Sequence, residues 1–172
     1  MLKLTGIFLI ILSAMGMGLC KSLELTEKMK ILESLIRILS LLKGEIRCTG
    51  ASLEDVFLAV ADKMSGEYRA FFEQLVQSMK KKSGCSFGEL FQECAMRELP
   101  LDRLSEEDRN CFLSLGGCLG YLDKKMQLGQ LTLLEEEMTE KLVLLRKKAP
   151  EKKKVYRSLG ILGGIFLAVL MW

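Results

Sequence analysis

Histidine is absent from these 172 residues, and proline occurs only twice. Without histidine the chain lacks the commonest general base and the commonest metal ligand. The two prolines mark structure rather than chemistry: a predicted helix stops before Pro100, and Pro150 is expected to kink or interrupt another. Six cysteines are present, at 20, 48, 85, 94, 111 and 118, but none forms a C-x-x-C pair. The usual zinc and redox spacings are therefore missing. Several of the cysteines fall on apolar helix faces, where a free thiol acts as a small hydrophobe. That usage suits a reducing compartment. No segment alternates polar and apolar residues at period two, so strands are not expected.

Other chemistry is equally scarce. Gly116, Gly117 and Gly120 are not followed by the Lys-Ser/Thr of a phosphate loop. No nucleophile is paired with a base. Glu135, Glu136 and Glu137 form a carboxylate run on one predicted outer helix face, where solvated charge is the plain reading. No catalytic, cofactor-binding or metal-ligating residue is assigned, and no small-molecule substrate is expected.

What the sequence has in quantity is apolar surface, with 49% hydrophobic residues against 27% charged and a mean hydropathy of +0.22. The net charge of +3 conceals an asymmetry. From Lys141 to Arg157 eight cations face the single carboxylate of Glu151, a net +7 that leaves −4 for the rest. A nucleic-acid binder would spread its cations over a folded face instead, so no nucleic-acid partner is expected.

The cation block, with Arg146, Lys147, Lys148, Lys152, Lys153, Lys154 and Arg157, abuts a stretch without charge from Ser158 to Trp172. Counted from Val155 this tail has about 18 residues, the low end of what spans a bilayer. Tyr156 and Trp172 bracket it, where amphipathic rings settle at interfaces. Dense lysine favours the cytoplasmic face, both for topology and through anionic lipid. Leu4 to Leu19 is likewise uncharged, with Lys3 before it and Lys21, Lys28 and Lys30 after it. That balance keeps the downstream side in the cytoplasm and favours an uncleaved membrane helix over a signal peptide. Gly160, Gly164 and Ala168 fall on one face of the tail, with a weaker small-residue pair at Ala14 and Gly18. Such faces permit close helix packing in lipid.

Between the ends, apolar residues recur at helical spacing. Leu25, Met29, Leu32, Leu35, Leu39, Leu42 and Ile46 stripe a long first helix that continues directly from the membrane segment. Ser52, Ser86 and Ser105 are expected helix starts, with a capping box at Ser86 and Glu89. Asp123 is placed to start a last helix striped by Leu131, Leu134, Met138, Leu142 and Leu145, with Glu137 and Lys141 paired outside. The fold class is all-α: about six helices in a cytosolic bundle, flanked by an N-terminal and a C-terminal transmembrane helix. The expected segments are a membrane helix at 1–20, the bundle at 21–148, a basic juxtamembrane linker at 149–157 and a second membrane helix at 158–172. Lys80, Lys81 and Lys82 on one helix, and Glu136, Glu137 and Glu140 on another, are candidate partner-binding charges.

LLKGEI at Leu41–Ile46, LGYLDKKMQ at Leu119–Gln127 and KKKVYRSLGILGG at Lys152–Gly164, behind an opening MLKL, resemble the stage III sporulation protein AB family of endospore-forming bacteria. The order and spacing of these motifs carry the resemblance over essentially the whole chain. Ser52 stands where proline is expected, one helix-start residue for another. The resemblance implies a non-enzymatic platform component of the transenvelope channel between mother cell and forespore. It implies a place in the mother-cell membrane facing the forespore, and a cytosolic domain similar to the type II secretion inner-membrane platform protein. The implied partners are a companion sporulation ATPase (stage III sporulation protein AA), other membrane proteins of the complex, and membrane lipid. An exported helical binding protein, held by its tail after signal cleavage, is the alternative.

Overall fold

Three serines show how local sequence starts these helices. Ser52 Oγ accepts from the Asp55 amide at 3.3 Å, and Ser105 Oγ accepts from the Asp108 amide at 3.4 Å. Ser86 forms a full capping box: its hydroxyl accepts from the Glu89 amide, and Glu89 Oε2 accepts from the Ser86 amide at 3.1 Å. Each satisfies an amide that the first helical turn leaves without a partner. In the computed structural model the described residues are 2–48, 52–81, 84–121 and 123–170; the side chains at 2–15, 17–19, 121, 156–157, 159–161 and 163–170 are outside the description.

Among the described residues every regular element is helical. In order they are α1 (Leu2–Cys48), α2 (Leu53–Lys63), α3 (Glu67–Lys81), α4 (Phe87–Glu98), a 3-10 turn (Leu101–Arg103), α5 (Glu106–Leu113), α6 (Leu115–Tyr121) and α7 (Lys124–Leu170). The all-α expectation holds. α2 and α3 are separated by a turn in which Gly66 takes a φ of +61°, a left-handed conformation that disfavours a side chain. Asp123 starts α7, its Oδ1 accepting from the Met126 amide at 2.8 Å. As expected, α1 runs from the apolar segment into the bundle stripe as one helix.

Two expectations about helix ends are refined. The apolar face expected to follow Ser105, made of Cys111, Phe112, Leu115 and Leu119, is divided at Ser114 between α5 and α6. There the Ser114 hydroxyl donates to the Cys111 carbonyl at 2.8 Å, and such local bonding competes with the helical ladder. The glycines that follow add little helix propensity. Pro150, expected to kink or interrupt the last helix, lies inside α7 without interrupting it. A proline removes one backbone bond and crowds the carbonyl four residues back; here the helix continues across that local loss.

The chain divides into two compact units, residues 31–141 and the pair 1–30 with 142–172. In the first, α2 packs on α3, α3 on α4, and α4 on α6. Its centre is aromatic. Phe57, Phe71, Phe72, Phe91 and Phe112 are fully buried. Phe71 meets Phe72 at 4.8 Å and Phe91 at 5.4 Å edge-on, and Phe57 stacks on Phe87 at 5.8 Å between centroids. Burying each ring is worth about 1.5–3 kcal/mol, and each favourable ring pair about 0.5–1.5 kcal/mol more. α1 adds Leu32, Leu35, Ile38, Leu39, Leu42 and Ile46, and α7 adds Leu131, Leu134 and Met138.

The glycines of α6 carry the α4 contact. A Cβ on Gly116 would lie 2.9 Å from the Phe91 Cβ, and one on Gly120 would lie 3.1 Å from the Phe87 Cβ. A Cβ on Gly88 of α4 would lie 3.6–3.7 Å from the backbone of Gly116 and Gly117. The glycine-rich run therefore serves close approach, inside a continuous helix.

In the second unit, Lys153 Nζ donates to Thr26 Oγ1 at 2.8 Å, and the Thr26 hydroxyl donates to the Ser22 carbonyl. Leu25 and Met29 are half-buried, and Ala149 is buried. Leu23, Val143, Leu144, Val155 and Leu162 are exposed apolar residues of this unit. Among the described residues no helix is long and apolar enough to cross a membrane. Most side chains of the two apolar segments fall outside the description, including the packing candidates Ala14, Gly18, Gly160, Gly164 and Ala168.

Candidate functional site

The carboxylates on α7 meet three different fates. Glu135, expected to be solvated with its neighbours, is instead half-buried and ion-paired with Lys43 of α1. Glu137 makes the expected contact with Lys141, Oε1 to Nζ at 2.8 Å. Glu136 and Glu140 are exposed and, among the described residues, have no ion-pair partner.

Lys141 is the hub of a network that periodicity did not reveal. Its Nζ also lies 3.1 Å from Glu107 and 3.6 Å from Asp108 of α5. Asp108 is buried at 5% exposure and also accepts the Ser105 hydroxyl proton. Burial pulls the Lys141 pKa down, but hydrogen bonds to Glu137 and Glu107 outweigh it and hold the ammonium above the ordinary lysine range. The Glu137 carboxyl is held below its usual range by Lys141 first and the Cys111 thiol second. Burial, with Glu137 beside it, pushes the Cys111 thiol up to about 11. A thiol so protonated is a poor nucleophile, and the network fastens α5 to α7. The Glu137–Lys141 pair is legible from its spacing, whereas the contacts to α5 are signalled only by the acidic first turn of that helix.

On α3, Lys80 stands 4.0 Å from Glu54 of α2, with both side chains exposed. Lys81 is exposed, and Lys82 lies outside the described residues. Arg146, Lys147, Lys148, Lys152 and Lys154 are exposed on α7, and Lys153 is half-buried against Thr26. The Arg157 side chain lies outside the description. Lys80 and Lys81 thus stand on α3 and Glu136, Glu137 and Glu140 on α7, with the cation block further along α7.

A cleft of about 500 Å³ was not anticipated. It is lined by Ser34 and Arg37 of α1, Asp62 and Lys63 ending α2, and Glu67 and Tyr68 starting α3. Arg37 Nη2 donates to the Lys63 carbonyl at 3.4 Å. Burial raises the Tyr68 pKa, against a hydrogen bond with Ser34 that lowers it. Arg37 and Lys63 bring cations to the lining, and Asp62 and Glu67 bring carboxylates. Among the described residues no group of side chains could hold a metal ion.

Three of the six cysteines meet the packing expectation. Cys94 is buried and Cys111 and Cys118 are half-buried, but Cys20, Cys48 and Cys85 are exposed.

The described residues form an all-α bundle with charged helix faces. The chain belongs to the stage III sporulation protein AB family, whose family model matches residues 3–172. It therefore has a role in stage III of sporulation. No curated protein and no solved structure matches the chain.

Proposed function

We propose that this chain is a non-enzymatic platform in the mother-cell membrane, the outer membrane around the forespore. It links a cytosolic secretion-type ATPase, the companion stage III sporulation protein AA, to the membrane proteins of a transenvelope channel. The observation that carries this reading is the pairing of two long helices with two uncharged ends. α1 and α7 each run 47 residues, from the bundle core into the apolar segments 4–19 and 158–172. The net +7 block beside the second segment favours the cytoplasmic side for the bundle, and so does the lysine balance around the first. Family membership supplies the sporulation setting.

Exposed Cys48 and Cys85 make the topology testable. With a cytosolic bundle, a membrane-impermeant maleimide labels neither in intact mother cells and labels both after lysis. Labelling in intact cells overturns the topology. N-terminal sequencing addresses the exported alternative: a chain beginning near Cys20 would replace two anchors with one. Gly160→Ile with Gly164→Ile is expected to weaken association with membrane partners while insertion survives, since packing contacts in lipid are worth about 1–2 kcal/mol each.

A further inference from the structure

We infer that the exposed face of α7 over residues 126–140 docks a basic amphipathic helix of the partner ATPase. The identity of that partner rests on the platform reading; the face itself does not. Met126 and Leu133 are 54% and 60% exposed, large values for apolar side chains on a helix whose opposite side fills the core. Met126, Leu133 and Glu140 are seven residues apart, so they form a stripe nearly parallel to the helix axis. Gly129 and Glu136 lie beside them on the same face, and Gly129 leaves open space above the backbone. An apolar centre bordered by carboxylates is the anatomy of a recognition surface.

The charges define what covers it. Glu136 and Glu140 have no ion-pair partner among the described residues, whereas neighbouring Glu137 is committed to Lys141. An occupant must bring apolar side chains to Met126 and Leu133 and cations to Glu136 and Glu140. A second copy fails both ways. Parallel packing sets Glu136 and Glu140 against themselves, and antiparallel packing sets Met126 against Glu140. The lysines on α3 are the weaker candidate, because Lys80 has Glu54 at 4.0 Å and none of the exposed large apolar residues belongs to α3.

The test uses the full chain in lipid nanodiscs with the ATPase as probe, alongside sporulation frequency in cells carrying each variant. Leu133→Ser, and separately Glu136→Lys with Glu140→Lys, should each weaken binding by about tenfold or more, the loss of one hot-spot contact. Both should lower sporulation at wild-type chain level and helix content. Glu136→Gln with Glu140→Gln, which cannot disturb folding through charge reversal, should lose most of the salt dependence of binding. Lys80→Glu with Lys81→Glu should leave binding unchanged. Wild-type sporulation by the α7 variants would overturn the docking face. A wild-type chain that does not bind the ATPase, with α7 variants still defective in sporulation, would overturn the ATPase reading and uphold the face.

Discussion

Adding one methyl group to α6 should have opposite effects at adjacent positions. A Cβ at Gly116 lies 2.9 Å from the Phe91 Cβ and 3.1 Å from two of its ring carbons. Phe91 has no room to yield: it is fully buried, with Phe71 at 5.4 Å, Phe112 at 5.7 Å and Phe87 at 6.1 Å. Overpacking of this kind costs about 1–3 kcal/mol. Replacing a helical glycine by alanine returns up to about 1 kcal/mol. The net expectation for Gly116→Ala is a loss of about 1–2 kcal/mol. Gly117 is exposed, and its Cβ would meet nothing within 4 Å. Gly117→Ala should therefore keep the propensity gain alone and stabilise by up to about 1 kcal/mol. At about 2–4 °C per kcal/mol for a chain of this size, the two variants should straddle the wild-type Tm. Thermal unfolding of the full chain in detergent, followed by circular dichroism, measures both. A Gly116→Ala variant as stable as Gly117→Ala would refute the close α4–α6 contact.

Lys141→Met should destabilise the bundle by about 1–3 kcal/mol at neutral pH, because buried Asp108 loses its cation. The Glu137 pKa is lowered in the folded chain, so its contribution is present above the ordinary carboxylate range and is lost as pH falls through the folded value. The Lys141 pKa is raised, so its contribution is present below the ordinary lysine range and is lost as pH rises through the folded value. The gap between wild type and Lys141→Met should accordingly close in acid and in strong base, as denaturant titrations across pH would record. Ser86→Ala should cost about 1 kcal/mol by removing the capping box, read as a lower denaturation midpoint at unchanged slope. In detergent a maleimide should modify exposed Cys48 and Cys85 first, Cys111 slowly because its thiol titrates near 11, and Cys94 only on unfolding; equal rates would contradict the burial pattern.

The sequence by itself determined what depends on near neighbours. Ser52, Ser86, Ser105 and Asp123 start helices because each side chain reaches an amide three residues on. The stripe from Leu32 to Ile46 is buried because helical spacing fixes a common face. Gly66 turns the chain into α3 because its own φ permits the turn. The cation block and the two uncharged ends are composition and need no fold to be seen. Tertiary structure decided which surface residues were already taken. Glu135, Glu136, Glu137 and Glu140 look alike in a string of letters. Only the packing of α7 gave Glu135 to Lys43, 92 residues away, set Glu137 within the α5 network, and left Glu136 and Glu140 beside exposed Leu133. Likewise only Phe91, arriving from α4, distinguishes Gly116 from Gly117. The physical reason is the range of the forces involved. Caps and turns are closed within a few residues of chain, whereas ion pairs and ring contacts are made between segments that loop closure brings together, and a local pattern carries no record of its distant partner.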